Sequence, residues 1–201
     1  MDRRKNRERR PSSRQKNRTV RLFVAAYPPP RWVDQALAAW QESEAHRFSD
    51  SSVRLTAPDQ VHLTLRFLGA VDRRERDAIE ESVTRAAATV RPFLLEPDAF
   101  QTFPERGPAR LVAITAPCPS PLNHLVDQLS RRLPRQGRDG KGFTPHLTIL
   151  RFRRPDSAFR FSSAHSFEPF PIERIALVES ILHPSGAEHR ELLSAPLGDS
   201  T

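Results

Sequence analysis

The 201-residue sequence is poor in cysteine and glycine: it has one cysteine, Cys118, and seven glycines. A single cysteine excludes an internal disulfide and any zinc site built on several cysteines. The phosphate-binding patterns G-x-x-x-x-G-K-[ST] and G-x-G-x-x-G are both absent, which argues against nucleoside-triphosphate and dinucleotide chemistry. Backbone cradles for anions are therefore expected to be scarce.

Long hydrophobic runs are also missing, because no window approaches the ~18 consecutive apolar residues of a membrane span. The N-terminus has no apolar segment of the kind found in secretory signals. We therefore expect a cytoplasmic protein with no membrane contact. The hydrophobic fraction of 37% can still supply a core, which suits one domain or two small lobes.

The positive charge is concentrated at the N-terminus. The whole chain carries +8, of which residues 1–19 supply +7 and residues 20–201 only +1. We expect 1–19 to be a disordered basic tail, with a weak tether to RNA or DNA and a mitochondrial transit peptide as alternatives. Residues 20–201 are expected to form a single folded domain of two lobes.

The order of predicted elements favours an α+β fold with antiparallel pairing. Strands are predicted at 19–27, 61–69, 92–103, 109–116, 145–150, 171–182 and 190–197. Helices are predicted from Pro30 to near His46, over 72–90 behind a capping box at Asp72 and Glu75, and over 120–133. The segment 134–142 is expected to be mobile, and 153–169 to hold a short helix and a loop. No regular βαβ repeat is present, which argues against a doubly wound sheet.

The triplet His-Leu-Thr occurs twice, in "VHLTLRFLG" at 61–69 and in "PHLTIL" at 145–150. Alternate residues of a strand share a face. In the first copy, alternation therefore predicts that one face carries His62, Thr64 and Arg66 and that the opposite face carries Leu63, Leu65 and Phe67.

The second copy follows the same pattern, with His146 and Thr148 on one face and Leu147 and Ile149 on the other. The two copies are separated by about half of the folded length. We therefore expect two related lobes, each of which presents one imidazole and one hydroxyl to a shared cleft.

Two facing imidazoles suit displacement at phosphorus without a metal. One neutral ring takes a proton from water while one protonated ring gives a proton to the departing oxygen. The two threonine hydroxyls can donate to phosphate oxygens. Two alternatives remain open: ordinary strands with a polar-face histidine, and a metal site, although H-x-x-x-H and H-E-x-x-H are absent.

The other aromatic and histidine residues receive weaker predictions. Candidate base-stacking residues are Phe23, Phe67, Phe103 and Phe143, with core burial expected for most of them. The remaining histidines are expected at the surface, at helix ends, in loops or at strand edges, where solvation explains them: His46, His124, His165, His183 and His189.

Four segments together resemble one known family: "RLFVAAYPP", "VHLTLRFLGAV", "FTPHLTILR" and "LVESILHPSGAEHREL". They are similar to the 2H phosphoesterases and, within them, to the RNA 2′,3′-cyclic phosphodiesterases historically called 2′-5′ RNA ligases. The resemblance runs from Arg21 to Leu197. It implies two α+β lobes related by a pseudo-twofold axis, with the active-site cleft between them. His189 stands where relatives commonly have an aromatic residue.

The resemblance also implies an activity and a set of roles. The activity is opening of a terminal 2′,3′-cyclic phosphate on RNA to a 2′-phosphomonoester, without metal or other cofactor. The implied proton donor to the 3′ oxygen is His62, and the implied base that activates water is His146. The implied phosphate-binding residues are Thr64, Thr148 and either Arg66 or Arg151. Strict alternation aims Arg151 away from His146, so its role requires either a bulge or a position at the end of the strand.

The implied partner is RNA with a cyclic phosphate end or a cyclic nucleotide. The protein itself is expected to be a monomer. Two alternatives remain at this point. One is a ligase or phosphodiesterase that acts on 2′-5′ linkages or on small cyclic nucleotides, and the other is an RNA-binding protein without turnover.

Overall fold

The structure is a computed structural model that describes residues 18–43, 53–134, 143–183 and 186–198. Three predictions fall outside these ranges: nearly all of the basic tail, the end of the first helix near His46, and the segment 135–142.

The described residues contain three α-helices and eleven strands. Their order is β1 (Thr19–Ala26), α1 (Pro30–Glu42), β2 (Val53–Leu55), β3 (Leu63–Asp72), α2 (Arg76–Ala87), β4 (Phe93–Leu95), β5 (Ala99–Phe103), β6 (Ala109–Thr115), α3 (Ser120–Arg132), β7 (His146–Asp156), β8 (Ser162–Ala164), β9 (Phe170–Ile172), β10 (Arg174–His183) and β11 (Gly186–Pro196). None of these helices has the length and apolar character needed to span a membrane.

The strands form two antiparallel halves that meet edge to edge. Their order in space is β11-β10-β1-β3-β7-β6-β5-β8, with the short β2 also paired to β7. The first lobe holds β11, β10, β1 and β3 of this sheet, and the second holds β7, β6, β5, β8 and β2. The order is symmetric about the junction of β3 with β7, as a pseudo-twofold arrangement requires. The predicted α+β class with two antiparallel lobes is confirmed.

The helices cover the sheet with apolar side chains. Helix α1 begins at Pro30. The first N–H groups of a helix have no partner within the helix, so a proline, which lacks an N–H, loses no hydrogen bond there. Its Trp40 is buried against Phe100, with ring centroids 5.5 Å apart, and so covers the second lobe. Helices α2 and α3 pack on each other and on the first lobe, α2 against β11 and α3 against β3. The site strands are therefore held from behind by one continuous apolar core.

Three of the predicted elements are corrected by the structure, and one of them is the strand predicted at 171–182, which is divided between β9 and β10. Residues 153–169 contain no helix: β7 runs on to Asp156, whose side chain accepts N–H bonds from Ala158 and Phe159 and turns the chain. The predicted strand 92–103 is two strands, because the chain leaves one sheet for another around Pro97. Strand β4 pairs with β9 in a separate two-stranded sheet, and β5 joins the main sheet.

Candidate active site

The two His-Leu-Thr copies meet where the lobes join. Leu63 of β3 and Leu147 of β7 are partners in an antiparallel pair, and their side chains are 1% and 0% exposed. Because residues alternate between faces, the histidines and threonines on either side of these leucines lie on the opposite face, toward solvent. Continuing this register sets His62 across from Thr148, and Thr64 across from His146.

Both site histidines are held by the same type of hydrogen bond. Nδ1 of His62 lies 2.7 Å from the Gln60 carbonyl oxygen, and Nδ1 of His146 lies 2.9 Å from the Thr144 carbonyl oxygen. A carbonyl oxygen can only accept, so the proton sits on Nδ1 in each neutral ring. Nε2 is then the nitrogen that is left to exchange a proton, as acceptor when the ring is neutral and as donor when it is charged.

A cleft of about 430 Å³ opens on this face, within the ~300–1,000 Å³ range of small-molecule sites. None of the described residues that line it is acidic. The lining residues are Arg21, Phe23, Arg54, Leu55, Thr56, Ala57, Gln60, His62, Thr64, Phe67, Thr148, Arg151, Ser180, Leu182, Ala187 and His189. His146 is outside this set, but its charge contributes to lowering the pKa of His62.

His62 is enclosed by aromatic rings. The ring centroids of Phe23, Tyr27 and His189 lie 5.0, 5.7 and 5.2 Å from its own. This burial lowers the pKa of His62 to about 4, helped by the charges of His189, Arg151 and His146 and opposed by the hydrogen bond to Gln60. His62 is therefore neutral in the free site at neutral pH.

His146 has a more open setting on the other side of the junction. Its ring contacts Phe103 at 5.2 Å, in a tilted geometry like that of Phe23 on His62. Its hydrogen bond to Thr144 is exposed, whereas that of His62 is partly buried. The two lobes thus present the same imidazole in two different environments.

Arg66 does not share a face with His62 and Thr64, so the prediction that all three lie together is wrong. A bulge in β3 is the reason: Ala25 of β1 pairs with Thr64, but the next residue, Val24, pairs with Arg66. Leu65 is therefore an extra residue, and it reverses the alternation beyond it. The guanidinium of Arg66 donates to Ser130 Oγ on α3 at 3.3 Å.

The same bulge brings Phe67 into the cleft, so the prediction that Phe67 shares a face with Leu63 and Leu65 is wrong. Phe67 pairs with Phe23, lines the cleft and is 45% exposed. Of the other candidate stacking residues, Phe23 and Phe103 contact the two imidazoles. Phe143 packs on the core instead.

Arg151 reaches the cleft through a bulge in β7, and not by lying at the end of the strand. Thr148 pairs with Ala113 of β6 and Leu150 with Val112, which leaves Ile149 as the extra residue. Arg151 then falls on the same face as Thr148 and lines the cleft. Partial desolvation lowers the pKa of its guanidinium.

His189 is a third histidine of the site, and the prediction that solvation explains it is wrong. It lies on β11 with its ring edge-on to His62 and to Phe23, at 5.2 and 4.9 Å. Desolvation by burial is the main cause of its lowered pKa, and the charge of Arg151 adds to it. Its Nδ1 is buried without a hydrogen-bond partner among the described residues. The sequence offered one signal for this role: His189 stands where relatives of the resembled family commonly have an aromatic residue.

Comparison with known proteins identifies the family. A family model described as the 2'-5' RNA ligase superfamily matches residues 28–182. The chain belongs to this superfamily. A similar protein of Archaeoglobus fulgidus is named RNA 2',3'-cyclic phosphodiesterase; it is 32% identical over 147 residues, which cover 71% of this chain and 82% of that protein.

Solved structures of similar proteins share the fold. The structure of a Thermus thermophilus protein matches with a TM-score of 0.75 and 25% identity, covering 90% of this chain and 100% of that one. Escherichia coli LigT complexed with phosphate matches with a TM-score of 0.70 and 24% identity, covering 90% and 99%. The superfamily member described here therefore has the two-lobed fold over nearly its whole described length.

Proposed function

We propose that this superfamily member hydrolyses the terminal 2′,3′-cyclic phosphate of RNA to a 2′-phosphomonoester. One observation carries the proposal: two imidazoles flank the junction of the lobes on one face, each with Nδ1 bound to the carbonyl two residues before it. The name of the Archaeoglobus fulgidus relative supports the choice of substrate.

The reaction needs one proton taken and one proton given. Nε2 of His146 accepts a proton from water, whose oxygen attacks phosphorus, and the bond from phosphorus to the 3′ oxygen breaks. Nε2 of His62 gives its proton to that 3′ oxygen, which leaves as a hydroxyl. Each transfer contributes roughly 10² to 10⁴ in rate. The roles of donor and base follow the family resemblance, since the two hydrogen bonds to Nδ1 are alike.

The low pKa of His62, about 4, has a consequence for the donor role. The free site holds His62 neutral, but the negative charge of a bound phosphodiester favours the imidazolium. Substrate binding thus helps to protonate the donor, and an imidazolium in an apolar enclosure gives up its proton readily.

Three further side chains are proposed to hold the phosphate. The hydroxyls of Thr64 and Thr148 face the same side as the imidazoles and can donate to the two oxygens outside the ring. The guanidinium of Arg151 adds positive charge that stabilises the pentacoordinate transition state. Arg66 is not part of this set, because its side chain lies on the opposite face.

The reaction is proposed to need no metal ion. Within the described residues, no three His, Cys, Asp or Glu side chains lie close enough to share one. Because the two imidazoles supply both proton transfers, we expect a chelator to leave turnover unchanged.

The deciding experiment uses a short RNA with a 2′,3′-cyclic phosphate end, incubated with the full chain with and without chelator. The expected product carries its phosphate on the 2′ oxygen, and His62→Gln and His146→Gln should each lower kcat by about 10² or more. His124→Gln is the matched control, because His124 is exposed on α3. A 3′-phosphate product, a joined RNA, or full activity in both site variants would overturn the proposal.

A further inference from the structure

Arg54 stands opposite Arg151 on the wall of the cleft. Strand β2 pairs with β7 so that Arg54 and Arg151 are direct cross-strand partners, and both line the cleft. Like charges in directly opposed positions destabilise a sheet. Since no described acidic residue lines the cleft, the structure itself supplies no carboxylate there to offset this repulsion. The pair is therefore suited to bind anions.

The two guanidiniums serve different parts of the cleft. Arg151 lines the cleft together with His62 and His189, and its positive charge contributes to lowering the pKa of both imidazoles. Arg54 instead reaches the first lobe, where its guanidinium packs against Gly186 at the start of β11. One wall thus carries two separate positive positions, the first at the reacting phosphate and the second nearer the β10–β11 hairpin.

Gly186 makes the position of Arg54 possible. Its φ of +141° favours glycine, and a Cβ added there would overlap both terminal nitrogens of Arg54. Any side chain at this position would push the guanidinium away from the hairpin.

The charges around the cleft favour one path for an RNA strand whose end is bound at the imidazoles. Gln60 and His189 separate the cleft from a second cavity of about 680 Å³. The wall of that cavity carries four carboxylates, Asp34, Asp59, Glu173 and Glu191, and one guanidinium, that of Arg174, which forms an ion pair with Glu191. The lining is therefore net negative and repels phosphate, so a strand with its end at the imidazoles is directed toward Arg54.

The rim of the cleft carries exposed apolar side chains that can pack against nucleotide bases. Among the described residues, four large hydrophobic side chains are exposed, and three of them line this cleft: Leu55, Phe67 and Leu182. Arg21 lies over the Phe67 ring, with its guanidinium carbon 5.5 Å from the centroid. Aromatic and apolar surface interleaved with arginine is typical of sites for single-stranded nucleic acid.

We propose that Arg54 binds the phosphate that precedes the terminal nucleotide, so that the cleft selects RNA ends over cyclic mononucleotides. This inference rests on the proposed function and deepens it. The scissile phosphate lies between the imidazoles and Arg151, and the next phosphate along the strand lies on Arg54, between β2 and the β10–β11 hairpin.

The test compares three substrates: a 2′,3′-cyclic mononucleotide, the same compound with a 5′-phosphate, and a dinucleotide with a cyclic end. A charge-assisted contact to the second phosphate should raise kcat/KM of the last two by about tenfold or more over the first, mainly through KM. Arg54→Gln should bring the ratio of kcat/KM values close to one. Gly186→Ala should also lower this ratio, because the added methyl group displaces the guanidinium of Arg54.

Arg110→Gln is the control for charge alone. Arg110 is an exposed arginine on β6 that does not line the cleft, so its variant should keep the full ratio. Equal kcat/KM for all three substrates, or an unchanged ratio in Arg54→Gln, would overturn the subsite and leave the hydrolysis standing. No turnover of any substrate would overturn the proposed function instead. Binding of a 2′-nucleotide with and without a 5′-phosphate then tests the subsite, and equal affinities would contradict it.

Discussion

Leu63 and Leu147 are backbone partners at the junction of the two lobes, and each directly follows a site histidine. Their side chains are almost fully buried, at 1% and 0% exposure. The packing behind the sheet therefore determines how the two imidazoles are oriented on its solvent-facing side. A substitution in the core at this point is therefore expected to change the positions of the imidazoles and to lower kcat.

Leu147→Ala is expected to reduce both stability and activity. Loss of a fully buried leucine costs about 2–5 kcal/mol of unfolding free energy, and the cavity would form beside His146. Denaturant unfolding gives the stability change, and kcat measured well below the melting temperature gives the catalytic change.

Leu122→Ala is the matched control for Leu147→Ala. Leu122 is equally buried, at 0% exposure, but lies on α3. Its variant should lose similar stability while the folded protein keeps its kcat. Equal kcat values for the two variants would show that the junction does not align the histidines.

The stability of the protein is expected to fall as pH drops from about 6.5 to about 4. The folded-state pKa of His62 is about 4, below the ~6.5 of an unfolded histidine. Between these values the unfolded chain binds the proton and the folded chain does not, so acid favours unfolding. Over the whole window the loss is on the order of 3 kcal/mol.

The measurement is urea unfolding at several pH values in wild type and in His62→Gln. The variant should show a smaller pH dependence in this window, because the glutamine does not titrate. Identical pH dependence in both proteins would mean that His62 titrates normally. NMR titration of the His62 ring gives the same pKa directly, and added phosphate should raise it.

Arg151 and Arg66 are expected to respond differently to the same substitution. Arg151→Gln removes a charge from the cleft and should lower kcat/KM for a cyclic substrate by about tenfold or more, since a hydrogen bond to a charged group contributes roughly 1.5–3 kcal/mol. Arg66→Gln changes a half-buried contact with Ser130 on α3. It should alter thermal stability and leave kcat/KM near the wild-type value. A larger loss of kcat/KM in Arg66→Gln than in Arg151→Gln would contradict the placement of Arg151 in the cleft and of Arg66 on the opposite face.

These two arginines also show what the sequence could not reveal. Alternation identified His62 and Thr64 correctly as residues of one face, because only Leu63 lies between them. Farther along each strand, the extra residues Leu65 in β3 and Ile149 in β7 move the following side chains to the opposite face from the one that alternation predicts. Leucine and isoleucine fit a regular strand as well as a bulge, so a period of two gives no sign of the insertion.

The local elements were more predictable than the contacts between distant segments. Proline at the start of α1 and serine followed by proline at the start of α3 predicted both helix starts correctly. The contact of His189 with His62 joins β11 to the start of β3, and Arg54 depends on a glycine from the same hairpin. Such contacts follow from the strand order β11-β10-β1-β3, which no single segment encodes.

His189 is expected to control the acidity of His62. Its ring covers one side of His62, and its charge also disfavours the imidazolium. His189→Ala admits water and removes that charge, so both effects should raise the pKa of His62 from about 4 toward the ~6.5 of a solvated imidazole. NMR titration of His62 measures the change.

His189→Phe is the informative partner of that variant. It keeps a ring against His62 and Phe23 but removes the buried Nδ1 that lacks a hydrogen-bond partner in the described part of the chain. Relief of an unsatisfied buried polar atom should raise the unfolding free energy by about 1 kcal/mol, whereas His189→Ala should lower it. The pKa of His62 should remain low in His189→Phe because the enclosure persists. A His62 pKa that rises equally in both variants would show that the charge of His189, and not its bulk, sets the acidity of the proton donor.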